Sequence, residues 1–285
     1  MPNYRYHLAR EYGSAIRRAY SAMLPALAAR PIEPRADVPL DVYAYSGEAA
    51  LPEQVASIRS FLRHAGRPRK FTVVGDGTYS DRSLALLRRL DSSIVVSQPS
   101  EWLPANLQPR LQGYLTGHPT GKQLAVIMSL PATETALYID SDVLFFRGAA
   151  ALRSIRTRTE APAEYLADCQ LSADERLFRS AAEKQNPVNT GVLLLHRKLD
   201  WSLSLQRFVE LDGAPTFFTN QTMTHLAMHA NNAEALDPGK FVLKLDDQFV
   251  FRDAHASPSL VLRHYVNPVR HKFWTSLSRS VFDAS

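Results

Sequence analysis

Across residues 1–30 the apolar positions Leu8, Tyr12, Ile16, Tyr20, Met23, Leu24 and Leu27 recur mostly at steps of three and four. That period predicts an amphipathic helix. Arg5, Arg10, Arg17 and Arg18 are interspersed with them. Pro25 is expected to kink or end the helix near Leu24, and Pro31, Pro34 and Pro39 to close the pattern. Such a helix ordinarily docks against a larger body; the alternative is a basic amphipathic helix lying on a membrane surface.

Beyond residue 40 the period switches between two and three to four. Strands are predicted at 41–46, 70–75 and 93–97 and within 135–146, with helices at 54–65, 80–90 and 122–130 between them. Residues 99–117 are polar and proline-bearing and read as irregular. This βαβαβαβ rhythm predicts an α/β fold with a mainly parallel, doubly wound sheet covered by helices. Later segments add short strands at 164–168, 192–196, 241–245 and 260–264, and helices at 203–211 and 219–230. With no repeat or linker in view, the division is a helix and proline-rich connector over 1–39 and one continuous domain over 40–285. Ser46-Gly47-Glu48 after the first strand is not a glycine-rich loop, and there is no P-loop, so the common dinucleotide and nucleotide fingerprints are missing.

Composition changes this picture little. The 285 residues are 45% hydrophobic and 21% charged, ordinary globular values. The net charge of +5 and pI near 9.3 favour phosphate-bearing partners. The basic residues are scattered, without the block of like charge that marks a nucleic-acid tail, so no nucleic acid is expected. No apolar stretch is long enough to span a bilayer, and the first residues lack a signal-type core. The single cysteine, Cys169, rules out an internal disulfide and reads as a small core residue. The expected setting is cytoplasmic, with the inner membrane face as the alternative.

The sharpest chemical signal is Ala136–Phe146, ALYIDSDVLFF. Asp140 and Asp142 interrupt an apolar run, where a carboxylate is costly unless its desolvation is offset. In extended chain they project to the same side and address one site. Two like charges so close call for a cation or a shared proton. Hard divalent ions such as Mn2+ or Mg2+ suit carboxylate oxygens and keep positions open for phosphate. The ordinary alternative is a pair of solvated aspartates at a turn. Asn189-Thr190-Gly191 before Val192–Leu195 reads, by itself, as a turn feeding a core strand. His264-Tyr265-Val266-Asn267-Pro268-Val269-Arg270-His271-Lys272-Phe273-Trp274 reads equally as a basic surface loop or as a loop closing over a metal-bound diphosphate.

Taken in order, YIDSDVLFF, NTGVLLLH, Asn220-Gln221 at a helix start and HYVNPVRHKFW resemble the GT-A glycosyltransferases, most nearly the family-8 group that includes glycogenin and bacterial lipopolysaccharide galactosyltransferases. The resemblance covers about residues 40–275 in element order and implies a nucleoside-diphosphate sugar donor, usually a UDP-sugar, a manganese or magnesium ion, and transfer with retention to a saccharide or lipid-linked acceptor. It implies metal ligation by Asp140, Asp142 and His264, donor contacts from Lys122, Asp140, Gly191, Arg270 and Lys272, and catalytic positions at Gln221, Asp168 and Asn189. Asn220 stands where the group has an aspartate and Asn267 where it has a glycine. The group's lysine spacing falls on Arg270, while Lys272 lies two residues further on, so both are diphosphate candidates.

If transfer instead inverts the anomeric centre, a carboxylate base is needed, with Asp168, Asp246 and Asp247 as candidates. Three other functions compete. A phosphoryl-transfer enzyme would carry its aspartate pair after the first strand. A sugar nucleotidyltransferase would show a glycine- and lysine-rich loop there. A non-catalytic membrane-surface or binding protein would leave the aspartate pair without a purpose.

Overall fold

A computed structural model describes residues 3–33, 36–105, 107–131, 134–155 and 161–282, with side chains through 277. In chain order the main elements are α1 (Tyr4–Ala28), β1 (Asp37–Ser46), α2 (Leu51–His64), β2 (Arg67–Gly75), α3 (Asp81–Arg88), β3 (Ile94–Ser97), α4 (Pro109–Gly117), α5 (Pro119–Met128) and β4 (Ala136–Asp140). They continue with β5 (Val143–Phe145), β6 (Ala163–Ala167), β7 (Val188–Leu195), α6 (Ser202–Val209), α7 (Thr219–Ala230), β8 (Glu234–Ala235), β9 (Phe241–Val242), β10 (Leu262–His264) and α8 (Arg270–Phe282).

The main sheet runs β3-β2-β1-β4-β7-β6-β8. Its first four strands are mutually parallel, and β7 lies antiparallel between β4 and β6. A second sheet, β5-β10-β9, branches from the end of β4. Alternation along the central strands divides the interior. Val42 and Ala44 of β1 and Leu137 and Ile139 of β4 join one core, while Tyr43 and Tyr138 join the other. This is the period-two pattern of strands covered on both faces. The expected α/β, mainly parallel architecture is present.

Several segments differ from expectation for identifiable reasons. α1 continues a full turn past Pro25, and the Ala29 N–H still reaches the Pro25 carbonyl at 3.1 Å. A proline forfeits one N–H bond, and here the loss falls near the helix end. β1 begins at Asp37 and passes through Pro39. Its register against β2 shifts between Val38 and Asp41, an irregularity that accommodates a residue without a donor. Pro34 lies outside the described residues. α4 occupies part of the segment read as irregular, because Pro109 sits in its first turn, where a missing N–H costs nothing. Asn189-Thr190-Gly191 is no turn; it lies inside fully buried β7. Cys169 is exposed rather than in the core. The basic stretch after His264 is the start of α8, not a surface loop.

α1 packs on α8. A Cβ at Gly13 would come within 2.6 Å of the His271 carbonyl oxygen, so glycine permits this close approach.

Candidate active site

The parallel strands β1, β2 and β4 end together at Ser46, Gly75 and Asp140. A cleft of about 820 Å³ opens beyond them, lined among others by Ser46, Asp76, Asp140, Asp142, Asp168, Asn189, Gln221, His264 and Arg270. Ligands of open α/β sheets bind at these carboxyl ends.

Asp140 closes β4, and the chain turns at Ser141-Asp142 before entering β5. The two carboxylates therefore meet across a turn rather than by alternation along one strand. β10 pairs antiparallel with β5 so that His264 lies opposite Val143. The Tyr265 N–H also donates to the Asp142 carbonyl at 2.9 Å. This pairing carries the His264 ring to the turn, with Nε2 3.1 Å from Asp142 Oδ1 and 3.7 Å from Asp140 Oδ2.

Each member is oriented by a neighbour. Asn189 Oδ1 accepts from the Gly191 N–H at 2.9 Å and from His264 Nδ1 at 2.9 Å. Its Nδ2 donates to Asp168 Oδ2 at 3.1 Å, which fixes the amide's orientation. With Nδ1 protonated toward Asn189, Nε2 is left to face the carboxylates. A Cβ on Gly191 would lie 2.1 Å from His264 Cε1, so only glycine leaves room for the imidazole. Asp140 Oδ1 accepts from Gln123 Nε2 at 2.8 Å and from the Tyr138 hydroxyl at 3.1 Å. Gln123 in turn accepts from Asn220 at 2.8 Å.

The site's electrostatics favour added positive charge. Burial is the largest influence on Asp140 and leaves its carboxyl above the usual range; His264 opposes this and the Asp142 charge adds to it. For Asp142, burial is again the largest single influence, but His264 and Arg270 together outweigh it and hold the carboxyl at about 2. Burial alone would lower His264; the two aspartates outweigh it and raise the imidazole.

The remaining predicted residues separate clearly. Arg270, the first residue of α8, reaches Asp142 Oδ2 through Nη2 at 2.7 Å and Nε at 3.1 Å and lines the cleft. Lys272 points elsewhere: it is fully buried and donates to the carbonyls of Val250 at 2.7 Å and Arg252 at 2.8 Å. Gln221 Nε2 donates to Asp168 Oδ2 at 3.1 Å, which joins Asp168, Asn189 and Gln221 in one polar cluster on the cleft wall. Lys122 donates to the Asp76 carbonyl at 3.0 Å at the cleft's edge. Of the alternative bases, Asp247 is engaged by Arg263 at 2.8 Å, and Asp246 is paired with His255 at 2.6 Å. Asp246, Asp247 and His255 also cluster closely, but the buried Arg263 bonds both oxygens of Asp247.

Three solved structures share the fold of this chain. The galactosyltransferase LgtC, in complex with donor and acceptor sugar analogues, matches with TM-score 0.57 and 14% identity over 84% of this chain and 95% of its own. Mouse xyloside xylosyltransferase 1 gives 0.54 and 14%, over 82% of this chain and 99% of its own. The fold is GT-A. The bifunctional glycosyltransferase WbbM gives 0.55 and 13%, over 89% of this chain but 51% of its own length. No protein family and no curated protein sequence matches the chain. At such identities the GT-A likeness extends to the fold alone.

That geometry suits a divalent cation. Asp140, Asp142 and His264 offer ligand atoms within 4.8 Å of one another. The Asn189 bond turns the outward imidazole nitrogen, Nε2, toward the two carboxylates, and the cradle at Gly191 lets the ring seat. Two carboxylates and one imidazole fit manganese or magnesium.

Sequence reasoning missed other cleft residues. Gln123, next to Lys122, is the side chain that holds Asp140. Arg17 of α1 reaches the cleft wall and pairs with Glu53 at 2.6 Å. Tyr45 lines the cleft with a buried hydroxyl that has no hydrogen-bond partner among the described residues. Phe217 and Phe218 form part of the rim. Of these, Arg17 enters the sequence pattern only as one of the arginines interspersed along the N-terminal helix.

Proposed function

We propose that this protein is a metal-dependent glycosyltransferase that moves a sugar from a nucleoside-diphosphate sugar, a UDP-sugar by family resemblance, to an acceptor hydroxyl with retention. The observation that carries the reading is the Asp140–Asp142–His264 group on the floor of a cleft at the carboxyl ends of the parallel strands. A bound manganese or magnesium ion would supply Lewis-acid stabilisation of the leaving diphosphate.

The chain's own residues account for the rest. The bond between the anomeric carbon and the β-phosphate oxygen breaks, and one to the acceptor oxygen forms as its hydroxyl proton departs. Arg270, half-exposed at the cleft, supplies a guanidinium for the diphosphate oxygens. Asn189 and Gln221 both donate to Asp168 Oδ2 and so hold that carboxylate facing the cleft. There it stabilises positive charge that develops at the anomeric centre. Tyr45 offers an unpaired hydroxyl to a polar ligand. Lys272 takes no part in donor binding in this reading.

The test is a thermal-shift titration with UDP, GDP and manganese on wild type and Asp142→Ala. Ligands that bind only the native state raise the melting temperature by mass action. The reading expects a shift from one nucleotide, only with metal, and its loss in the variant. No shift from any nucleotide, with or without metal, removes the donor site and with it this function.

A further inference from the structure

We propose that the exposed face of α1, together with the 249–251 segment, forms a docking surface for an anionic lipid bilayer. This inference is independent of the donor-site reading above. α1 docks on the body by a narrow stripe: Ala9, Gly13, Tyr20, Leu24 and Ala28 are its buried residues. A second apolar ridge on the same helix is exposed. Tyr4, Leu8, Tyr12 and Met23 are 72%, 63%, 47% and 50% exposed. Ala15, Ala19 and Ala22, also exposed, continue the ridge at three- and four-residue steps. Exposed Glu11 and Arg18 border it on one side and Arg5 on the other.

A separate segment extends the ridge. Phe249, Val250 and Phe251 are three consecutive exposed apolar residues. Phe249 lies 5.5 Å from the Tyr6 ring, and Phe251 lies 5.9 Å from the Tyr12 ring. Two parts of the chain far apart in sequence thus build one aromatic, water-exposed surface. Exposed apolar patches of this kind mark interaction sites.

Charge selects the occupant. α1 carries Arg5, Arg10, Arg17 and Arg18 against Glu11 alone. Arg5, Arg10 and Arg18 are exposed, as is Arg252 beside the aromatic segment. Asp246, the nearest exposed acid on that segment, is paired with His255. A second copy of the chain would bring arginines against arginines. An anionic headgroup layer supplies the opposite charge, and its boundary with the acyl chains accepts tyrosine, phenylalanine and leucine. No described helix is long and apolar enough to cross a membrane, so the helix lies on the surface.

The experiment is co-sedimentation of the full chain with vesicles of phosphatidylcholine alone and of phosphatidylcholine mixed equally with phosphatidylglycerol. The chain is expected to sediment with the mixed vesicles, weakly with the neutral ones, and less as salt rises. The double substitution Leu8→Asp and Phe251→Asp is expected to lower binding to mixed vesicles about tenfold or more. Arg5→Glu with Arg18→Glu is expected to lower it as well. Arg5 and Arg18 are exposed and make no ring contact with the 249–251 segment, so that variant keeps the wild-type melting temperature, and the melting temperature of each variant tells a folding defect apart. Failure to bind either vesicle overturns the proposal, as does binding that both variants retain. A concentration-dependent dimer that Leu8→Asp dissolves, without vesicle binding, assigns the ridge to a second copy instead.

Discussion

Two clusters of buried charge share the β10–α8 segment, and they are built on opposite principles. One faces the cleft: Asp140, Asp142, His264 and Arg270. The other lies behind it: Asp247, Asp253, Arg263 and Lys272, all buried. Neighbouring residues are dealt to different clusters, Arg263 to the inner one and His264 to the cleft, as alternation along a strand requires. In the inner cluster Arg263 reaches Asp247 through two nitrogens at 2.8 and 3.0 Å and also bonds Asp253. Tyr265 and Ser276 donate to the far oxygen of Asp253 at 2.8 and 2.6 Å. Lys272 sits 3.6 Å from Asp247 and ties down two carbonyls. Two acids face two bases, formally balanced. In the cleft cluster one cation, Arg270, is half-exposed and the second is an imidazole whose charge depends on its acidic neighbours. Buried charge with fixed, matched partners holds the fold; buried charge short of a fixed partner is a place for a ligand.

The contrast is sharpest under mutation. Lys272→Met removes one cation from the inner cluster and leaves an excess buried carboxylate, at a cost of about 3–5 kcal/mol. Denaturant titration should show that loss in the unfolding midpoint. A change under about 1 kcal/mol would mean that the cluster tolerates imbalance and that the distinction drawn here fails. Asp142→Asn is expected to cost less. Its partner Arg270 is half-exposed and can turn to water, so the melting temperature falls by less than in Lys272→Met. Transfer activity, measured with the nucleotide identified by thermal shift, should fall about 10²–10³-fold. A variant that unfolds while its residual activity per folded molecule is unchanged would place Asp142 in the structural class.

Gly191→Ala tests the cradle rather than the charge. The added methyl group meets His264 Cε1 at 2.1 Å and pushes the ring from its seat. Orientation of a metal ligand by its neighbours is worth about 10–100-fold in metal affinity. Manganese titration monitored by the nucleotide-dependent thermal shift should show a weakening of that order. Affinity equal to wild type would show that His264 does not hold the ion.

Much of this was legible in the residues. The βαβ rhythm and the carboxylates embedded in YIDSDVLFF stand out because buried strands are otherwise uniformly apolar. The choice between Arg270 and Lys272 was not legible, since it depends on where α8 begins. Two residues along a helix turn through about 200°, so one side chain enters the cleft and the other the inner cluster. α4 was hidden because residues 99–117 are polar and proline-bearing, yet Pro109 sits where a helix starts. The roles of Gln123 and Tyr45 depend on contacts between distant segments, for which local spacing carries no signal.

The smallest expected effect is in the acid response of the inner cluster. For Asp247, burial is the largest influence and would raise the carboxyl, but the Arg263 hydrogen bonds and charge outweigh it and hold it below the usual range. The folded state therefore binds this proton less readily than the unfolded chain does. Its contribution is complete above the ordinary carboxylate range and is lost as pH falls through the folded value. Asp247→Asn has no such proton to bind, so its stability should fall less steeply with acidification, from a lower starting point at neutral pH. Unfolding midpoints measured from neutral to strongly acidic pH will separate the two curves if the cluster works by balanced charge. If the wild-type and variant curves run parallel, Asp247 is held by hydrogen bonds whose strength does not depend on its ionisation, and the contrast with the cleft rests on geometry alone.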